Sequence, residues 1–185
     1  GDALRYSSFQ VVDIMTGTGF GTADYEQWST LSRSLLLMLY FCGGMAGSTT
    51  GSMKLIRIMI IVKVVLHEIR LGFRPTLVAP IRLGGSTVAD TVVRGTLAYA
   101  LIFVATVVVG AMAVAALDPV DLTTALMASL ACVANVGPGM GAVGPTDNYG
   151  FFSDTSKVIL SFCMLLGRLE FFSLLSLFVP SFWRR

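Results

Sequence analysis

The sequence is short of charge. Only 13% of its 185 residues are Asp, Glu, Lys or Arg, about half of the roughly 25% usual in soluble domains, whereas 55% are hydrophobic. The 13 basic and 11 acidic residues give a formal charge of +2, and nucleic-acid binding needs a more concentrated basic face. The composition therefore predicts a membrane protein that contacts lipid and has no nucleic-acid partner.

Residues that could form a metal centre are also scarce. The three cysteines lie in apolar stretches without metal-ligand spacing, and an odd number cannot pair completely into disulfides. His67 is the single histidine, which argues against haem ligation or a zinc cluster. An intramembrane hydrolase would need facing aspartates or a serine with a histidine at membrane depth, and the sequence offers neither arrangement. We therefore expect no cofactor and no enzyme activity.

Three long apolar segments are present, at residues 35–66, 92–117 and 158–179. The second and third have the length of one membrane crossing. As a single helix, the first would extend roughly 48 Å at about 1.5 Å per residue, well beyond the roughly 30 Å hydrocarbon layer. We therefore expect three spans, of which the first either protrudes from the membrane or is broken.

Two other segments are too short to cross a membrane. Asp118, followed by a proline, is a candidate N-cap for a helix over residues 119–134 that would extend roughly 21 to 24 Å. That helix must stop at Asn-Val-Gly-Pro-Gly, residues 135–139. A helix over residues 3–15 repeats the pattern and ends in Thr-Gly-Thr-Gly-Phe, residues 16–20. Both segments predict a re-entrant helix followed by a glycine turn.

The two glycine turns offer backbone oxygens to an ion. Non-helical backbone at membrane depth is tolerated only where protein or water satisfies its polar groups. Glycine lets residues 16–19 and 135–137 adopt conformations that aim carbonyl oxygens at a common axis, where they can replace the hydration shell of a monovalent cation. The carboxyl ends of the short helices add partial negative charge there. Close helix packing is the alternative reason for the glycines, but it does not explain half-length helices that end in such turns.

The two halves of the sequence align as an internal repeat of span, short helix, glycine turn and span. Gly19 matches Gly137 at an offset of 118 residues. We expect one complete unit at residues 92–185 and, at residues 1–70, a unit that lacks its first span. The chain starts at Gly1, without an initiator Met or an apolar signal core, so it is expected to begin inside a longer protein.

The distribution of basic residues predicts the orientation. Residues 54–94, which include a connector at residues 71–91, contain seven basic residues against two acidic ones. The loops on the other side contain two basic and six acidic residues. Because basic residues favour the cytoplasmic side, segment 54–91 and the C-terminus are expected to be cytoplasmic, with both glycine turns opening outward.

Four motifs, in order, resemble the third and fourth repeats of the TrkH/KtrB potassium-transporter membrane subunits. They are the turn at 16–20, Gly-Gly-Met-Ala-Gly-Ser-Thr-Thr-Gly-Ser-Met-Lys at 43–54, the turn at 135–139 and Gly-Arg-Leu-Glu at 167–170. The resemblance covers essentially the whole chain. It implies an all-α membrane protein of the potassium-channel-like type. In that type, four repeats of span, re-entrant pore helix, filter loop and span surround one pore.

The resemblance also implies site residues and partners. The filter would comprise Thr16, Gly17, Thr18, Gly19, Asn135, Val136 and Gly137, with potassium at Thr18, Gly19, Val136 and Gly137. The first two repeats would be supplied by sequence absent from this chain. The resemblance further implies a homodimer in the bacterial cytoplasmic (inner) membrane and a cytosolic nucleotide-binding regulatory subunit of the TrkA/KtrA type.

Residues 43–52 are open to two interpretations. In a continuous helix, Gly43, Gly47 and Gly51 would form a packing stripe at intervals of four. Against a helix, the hydroxyl side chains of residues 48–52 compete for backbone hydrogen bonds. The resemblance implies an intramembrane loop that gates the pore beneath the filter. Its residues would be Gly43, Gly44, Gly47, Ser48, Thr49, Thr50 and Gly51.

Arg168 is the only basic residue well inside an apolar span, where it needs water or a partner such as Glu170 or Asp13. The repeat alignment gives it the depth of Gly44, so its charge would raise the barrier to a cation and complete the gate. Bracing of loop carbonyls by Arg168 is an alternative, compatible role. Asp13, one turn before Thr16, is a candidate anchor for the filter backbone.

These features predict potassium uptake, passive or coupled to another ion as in a symporter. The alternatives are a mixed potassium and sodium transporter and a non-conducting structural or assembly subunit.

Overall fold

The computed structural model describes residues 1–45, 47–48, 50–73, 80–177 and 183, and over these residues the chain is mostly helical. The two short strands β1 (Arg82–Leu83) and β2 (Ser86–Thr87) form an antiparallel hairpin. Two 3-10 turns lie at Tyr25–Gln27 and Tyr149–Phe151. The α-helices of the described residues are α1 (Asp2–Thr16), α2 (Thr30–Leu39), α3 (Leu55–Phe73), α4 (Asp90–Leu117), α5 (Leu122–Ala134), α6 (Asp154–Arg168) and α7 (Phe172–Leu177).

Among the described helices, only α4 is long and apolar enough to cross a membrane by itself, with 28 residues and a mean hydropathy of 2.6 in its most apolar window. Residues 35–66, predicted as one broken span, are divided between α2 and α3. Helix α3 continues to Phe73, so the predicted connector at 71–91 begins within a helix.

The segment at residues 158–179, predicted as the third span, is interrupted in its described part. Helix α6 ends at Arg168 and α7 begins at Phe172. Between them, Glu170 has φ +51°, a left-handed conformation that a helix cannot continue through. The Glu170 carboxylate forms ion pairs with Lys54 and Arg57 at the beginning of α3, and these long-range contacts accompany the interruption. Residues 178 and 179 lie outside the described part of the chain.

The start of the second short helix also needs a correction. Its N-cap is Asp121, whose side chain accepts a hydrogen bond from the backbone N–H of Thr124, rather than Asp118. Asp118 instead accepts hydrogen bonds from the backbone N–H and hydroxyl of Ser153, the N-cap of α6. Hydrogen bonds from Ser156 and then from Ser153 lower the pKa of Asp118. Asp118, the C-cap of α4, therefore joins the end of α4 to the start of α6.

The core lies where α4, α5 and α6 pack against one another. Helix α5 is its centre: from Thr124 to its end, every residue except Leu126 is buried. A β-carbon at Gly110 of α4 would lie 2.5 Å from Ser129 Oγ, so the absence of a side chain there lets α4 approach α5 closely. The Ser129 hydroxyl in turn donates to the Val107 carbonyl at 2.9 Å. This packing fixes the position of the turn that follows α5.

Candidate functional site

The two short helices, α1 and α5, end in the same hydrogen-bonded geometry. Gly17 caps α1 with φ +63°, and Asn135 caps α5 with φ +56°. After α1, Thr18 N–H donates to the Asp13 carbonyl at 3.1 Å; after α5, Val136 N–H donates to the Ala131 carbonyl at 3.1 Å. Both are six-to-one bonds of a Schellman motif. Gly19 (φ +80°) and Gly137 (φ +109°) follow at equivalent places, in a region that favours glycine.

The first turn (residues 16–20) and the second turn (residues 135–139) lie side by side. A β-carbon at Gly19 would be only 2.6 Å from the Val136 carbonyl oxygen, and one at Gly137 would be 3.9 Å from the Gly19 α-carbon. A β-carbon at Gly17 would be 3.2 Å from the Asn135 carbonyl oxygen. The turns are therefore in direct backbone contact, although 118 residues separate them in sequence.

Three tyrosines bond the later carbonyls of the second turn. Tyr149 donates to the Gly137 carbonyl at 2.8 Å, Tyr40 to that of Pro138 at 2.6 Å and Tyr25 to that of Gly139 at 2.6 Å. The Tyr25 and Tyr40 hydroxyls also lie 3.2 Å apart. The sequence analysis missed these residues because the bonds of Tyr25 and Tyr40 join distant parts of the chain.

The earlier carbonyls are free of protein donors. Among the described residues, no hydrogen bond is formed to the carbonyl oxygens of Asn135 and Val136 in the second turn, or of residues 17–19 in the first. The first turn is held instead by Asp13, whose Oδ1 accepts the backbone N–H of Phe20 at 2.8 Å. The predicted anchoring role of Asp13 is confirmed. The arrangement leaves two short runs of carbonyls available to a ligand where the turns meet.

The polar loop, residues 43–52, is not helical in its described part. Helix α2 ends at Leu39 and α3 begins at Leu55, so a packing stripe on one continuous helix is excluded. The ends of the loop are held together: Gly43 N–H donates to the Met53 carbonyl at 2.7 Å, and Leu55 N–H to the Gly44 carbonyl at 3.2 Å. Ala46 and Thr49 lie outside the described residues.

The polar loop packs against both turns. A β-carbon at Gly51 would lie 2.6 Å from Asn135 Nδ2 and 2.9 Å from the Ala134 carbonyl oxygen. The Cγ2 of Thr50 is 3.2 Å from the β-carbon position of Gly17, at the end of the other short helix. Within the loop, the Ser48 and Thr50 hydroxyls share a hydrogen bond of 2.6 Å. The loop thus lies next to the place where the two turns meet.

Arg168 is the exposed last residue of α6, and its side chain forms no ion pair or hydrogen bond with the described part of the chain. Neither of its two candidate partners contacts it, because Glu170 pairs with Lys54 and Arg57 and Asp13 bonds Phe20. The preceding Gly167 is in close contact with the Val133 carbonyl, and its β-carbon position is 2.7 Å from Asn135 Nδ2. The backbone before Arg168 is therefore packed against the end of α5.

Short helices that aim backbone oxygens at a shared point are a feature of membrane transport proteins. The chain belongs to the TrkH family, described as cation transport proteins, whose family model matches residues 1–185.

Relatives and a solved structure agree with this assignment. The chain is 35% identical over 184 residues to the Trk system potassium uptake protein TrkI of Halomonas elongata and 38% identical over 187 residues to TrkH of Vibrio parahaemolyticus. Each match covers 99% of this chain and 37% of the relative. The crystal structure of the potassium transporter TrkH from Vibrio parahaemolyticus superposes with a TM-score of 0.89 at 36% identity, over 99% of this chain and 38% of that one. The chain thus spans little more than a third of these proteins.

Proposed function

We propose that this chain supplies half of the ion filter of a membrane protein that takes up potassium. The observation that carries the proposal is the backbone contact between the two turns, where the carbonyls of residues 17–19 and of Asn135 and Val136 have no donor among the described residues. Carbonyl oxygens with no protein donor can replace the water around a dehydrated cation. The relatives are named as potassium uptake proteins.

In this proposal each turn is one quarter of the filter, formed by residues 16–20 and 135–139. Potassium is coordinated around Thr18, Gly19, Val136 and Gly137. The Gly137 carbonyl already accepts a hydrogen bond from Tyr149, so Val136 offers the less occupied oxygen of the second turn. The C-caps Gly17 and Asn135 share the left-handed conformation, which supports equivalent roles for the two turns. The carboxyl ends of α1 and α5 add partial negative charge near the ion.

The polar loop and Arg168 form the proposed gate. The contacts of Gly51 and Thr50 with the ends of α5 and α1 support a loop that blocks the route leading from the filter. The Arg168 guanidinium has no acidic partner in the described residues, so its charge is available to repel a cation. The other gate residues are Gly43, Gly44, Gly47, Ser48 and Thr49.

The remaining parts of the pore come from outside this chain. Residues 1–70 form a third repeat without its first span and residues 92–185 a fourth, joined by the connector at 71–91. Two further repeats complete the filter, and the whole protein is a homodimer in the cytoplasmic membrane with a cytosolic nucleotide-binding regulatory subunit. Segment 54–91 faces the cytoplasm, and transport is passive or coupled to another ion.

Substitution of Gly19 tests the filter in the complete four-repeat protein. The β-carbon of Gly19→Ala would collide with the Val136 carbonyl, and left-handed backbone costs a residue with a β-carbon about 1–2 kcal/mol. Because the displaced Val136 carbonyl can no longer replace the water around the ion in the same geometry, we expect the preference of rubidium over sodium uptake to fall severalfold. Uptake of the two ions into proteoliposomes measures this ratio.

The matched control is Gly85→Ala, which imposes the same backbone strain (φ +88°) in the hairpin, with no atom within 4 Å of the new carbon. It should leave the ion ratio unchanged. Gly137→Ser, which has more room, should also lower the ratio. If well-folded Gly19→Ala and Gly137→Ser proteins keep the wild-type ratio, these turns are structural and the filter proposal is refuted.

A further inference from the structure

A basic cavity lies between α3 and the β1–β2 hairpin, away from the filter turns. Its volume is about 370 Å³, and its lining includes Lys63, His67 and Arg70 from α3 and Arg82 from the hairpin. The helical residues are spaced three and four apart, so they lie along one face of α3. Lys63 Nζ donates to the Arg82 carbonyl, which ties the hairpin to this face.

The positive charge of the cavity has no acidic partner among the described residues. No described lining residue is acidic, and in the described ranges neither Arg70 nor Arg82 forms an ion pair. The acidic residues nearest in sequence, Glu68 on α3 and Asp90 at the start of α4, are not among the lining residues. A cluster of arginine and lysine with this geometry suits a phosphate group, whose oxygens accept several charge-assisted hydrogen bonds.

An exposed apolar face runs along α3 beside the basic one. Its side chains are 46% to 86% exposed and recur at helical spacing, and Leu66 belongs both to this face and to the lining of the cavity. The members are Met59, Val62, Leu66, Ile69 and Phe73. An exposed apolar face requires an apolar cover, which an acyl chain supplies and a soluble phosphate ester does not. The two faces together match an amphiphile with an anionic head.

We propose that this cavity binds the phosphate of an anionic phospholipid, with an acyl chain of the lipid lying along the apolar face of α3. Phosphate is the chemistry shared with soluble esters, and the adjoining apolar face favours the lipid. The proposal requires no ion flux, so it can be tested independently of the filter.

The test is lipid binding to the complete protein, purified in neutral detergent and titrated with phosphatidylglycerol, phosphatidylcholine or glycerol 3-phosphate while bound species are counted by native mass spectrometry. The double variant Arg70→Gln and Arg82→Gln should weaken phosphatidylglycerol binding about 25-fold, because each basic side chain near an anionic lipid contributes a factor of about five. The control, Arg5→Gln with Lys157→Gln, removes the same charge elsewhere and should stay within about twofold of wild type.

Phosphatidylcholine should bind weakly to all three proteins, and glycerol 3-phosphate should not displace the anionic lipid. Equal loss in the double variant and the control would overturn the proposal, as would equal binding of the two lipids. Displacement by glycerol 3-phosphate at the same concentration as the lipid would also overturn it and would assign the cavity to a soluble phosphate ester.

Discussion

At the scale of single residues, the two turns are held by different side chains. One carboxylate, Asp13, fixes the first turn through the Phe20 N–H. Three phenol hydroxyls fix consecutive carbonyls of the second turn. Because each side chain bonds the backbone directly, the conformation of the turns depends on individual donors and acceptors as much as on the glycines themselves.

Replacement of Asp13 by alanine should destabilise the protein. The substitution leaves the part-buried N–H of Phe20 without its acceptor, and the loss of such a hydrogen bond costs about 0.5–1.5 kcal/mol. Asp13→Asn keeps an oxygen in the same place and should retain most of the stability. Unfolding of the complete protein in detergent, followed by circular dichroism in denaturant, measures both. Equal destabilisation by the two variants would show that the negative charge matters, rather than the hydrogen bond.

Sequence reasoning identified Asp13 because it lies one helical turn before Thr16, and the Phe20 N–H that it accepts is only seven residues away. It did not identify Tyr25 or Tyr40, whose acceptors are 114 and 98 residues away in sequence. Tyrosine in an apolar region suggests a buried hydroxyl with a partner, but no local pattern says which carbonyl it bonds. The turns after α1 and α5 could be predicted from their glycines, because left-handed backbone strongly favours that residue.

At the scale of secondary-structure elements, two helix interruptions are joined to each other. The first interruption separates α2 from α3, and the second separates α6 from α7. Glu170, in the second interruption, pairs with Lys54 and Arg57 beside the end of the first. Arg57 also lies over the Tyr99 ring of α4, 4.0 Å from its centroid. The base of the polar loop is thereby attached to α4 and to the α6–α7 break.

Neutralising Glu170 should loosen the polar loop and raise ion flux. Glu170→Gln replaces two ion pairs by weaker hydrogen bonds from Lys54 and Arg57 to a neutral amide oxygen, and partly exposed ion pairs contribute about 0.2–1 kcal/mol each. We expect rubidium uptake by the complete protein to rise about two- to fivefold, with an unchanged ratio of rubidium to sodium. The control is Glu68→Gln, an exposed carboxylate on α3. Flux that stays level or falls in Glu170→Gln would contradict a gating role for this attachment.

The α6–α7 break could not be predicted from local sequence. Residues 158–179 are rich in leucine and phenylalanine, which favour an uninterrupted apolar helix, and no glycine or proline occurs at residues 169–171. Glu170 is left-handed instead, and its carboxylate contacts Lys54 and Arg57, which are more than 110 positions away in sequence. The end of α2, by contrast, is signalled by the glycines and hydroxyl residues that follow it.

At the scale of the whole molecule, the described residues leave much apolar surface uncovered. Leu101, Val109 and Met112 of α4 are each more than 60% exposed. An apolar groove of about 580 Å³ separates α4 from α6, lined by residues that include Ile102, Val109 and Phe162. Such surface requires lipid or further protein around it. This agrees with a chain that spans little more than a third of its relatives.

The chain by itself should not conduct. It supplies two turns, and the proposed filter needs four, so residues 1–185 reconstituted in liposomes should give rubidium uptake at the background level. Co-expression with the preceding part of the full-length protein should restore uptake. Measurable selective uptake by the isolated chain would show that two copies assemble a filter, which would contradict a pore built from four different repeats.

The phenols of Tyr25 and Tyr40 also limit which proteins can be recombined. Both come from the first half of the chain, and their acceptors lie in the second. In a chimera whose two halves come from different homologues, the hydroxyl donors of one parent must therefore meet the backbone carbonyls of the other. Crossovers between α3 and α4 should succeed only when the parent of the first half has hydroxyl side chains at positions 25 and 40. These two positions are therefore a practical criterion for choosing parents.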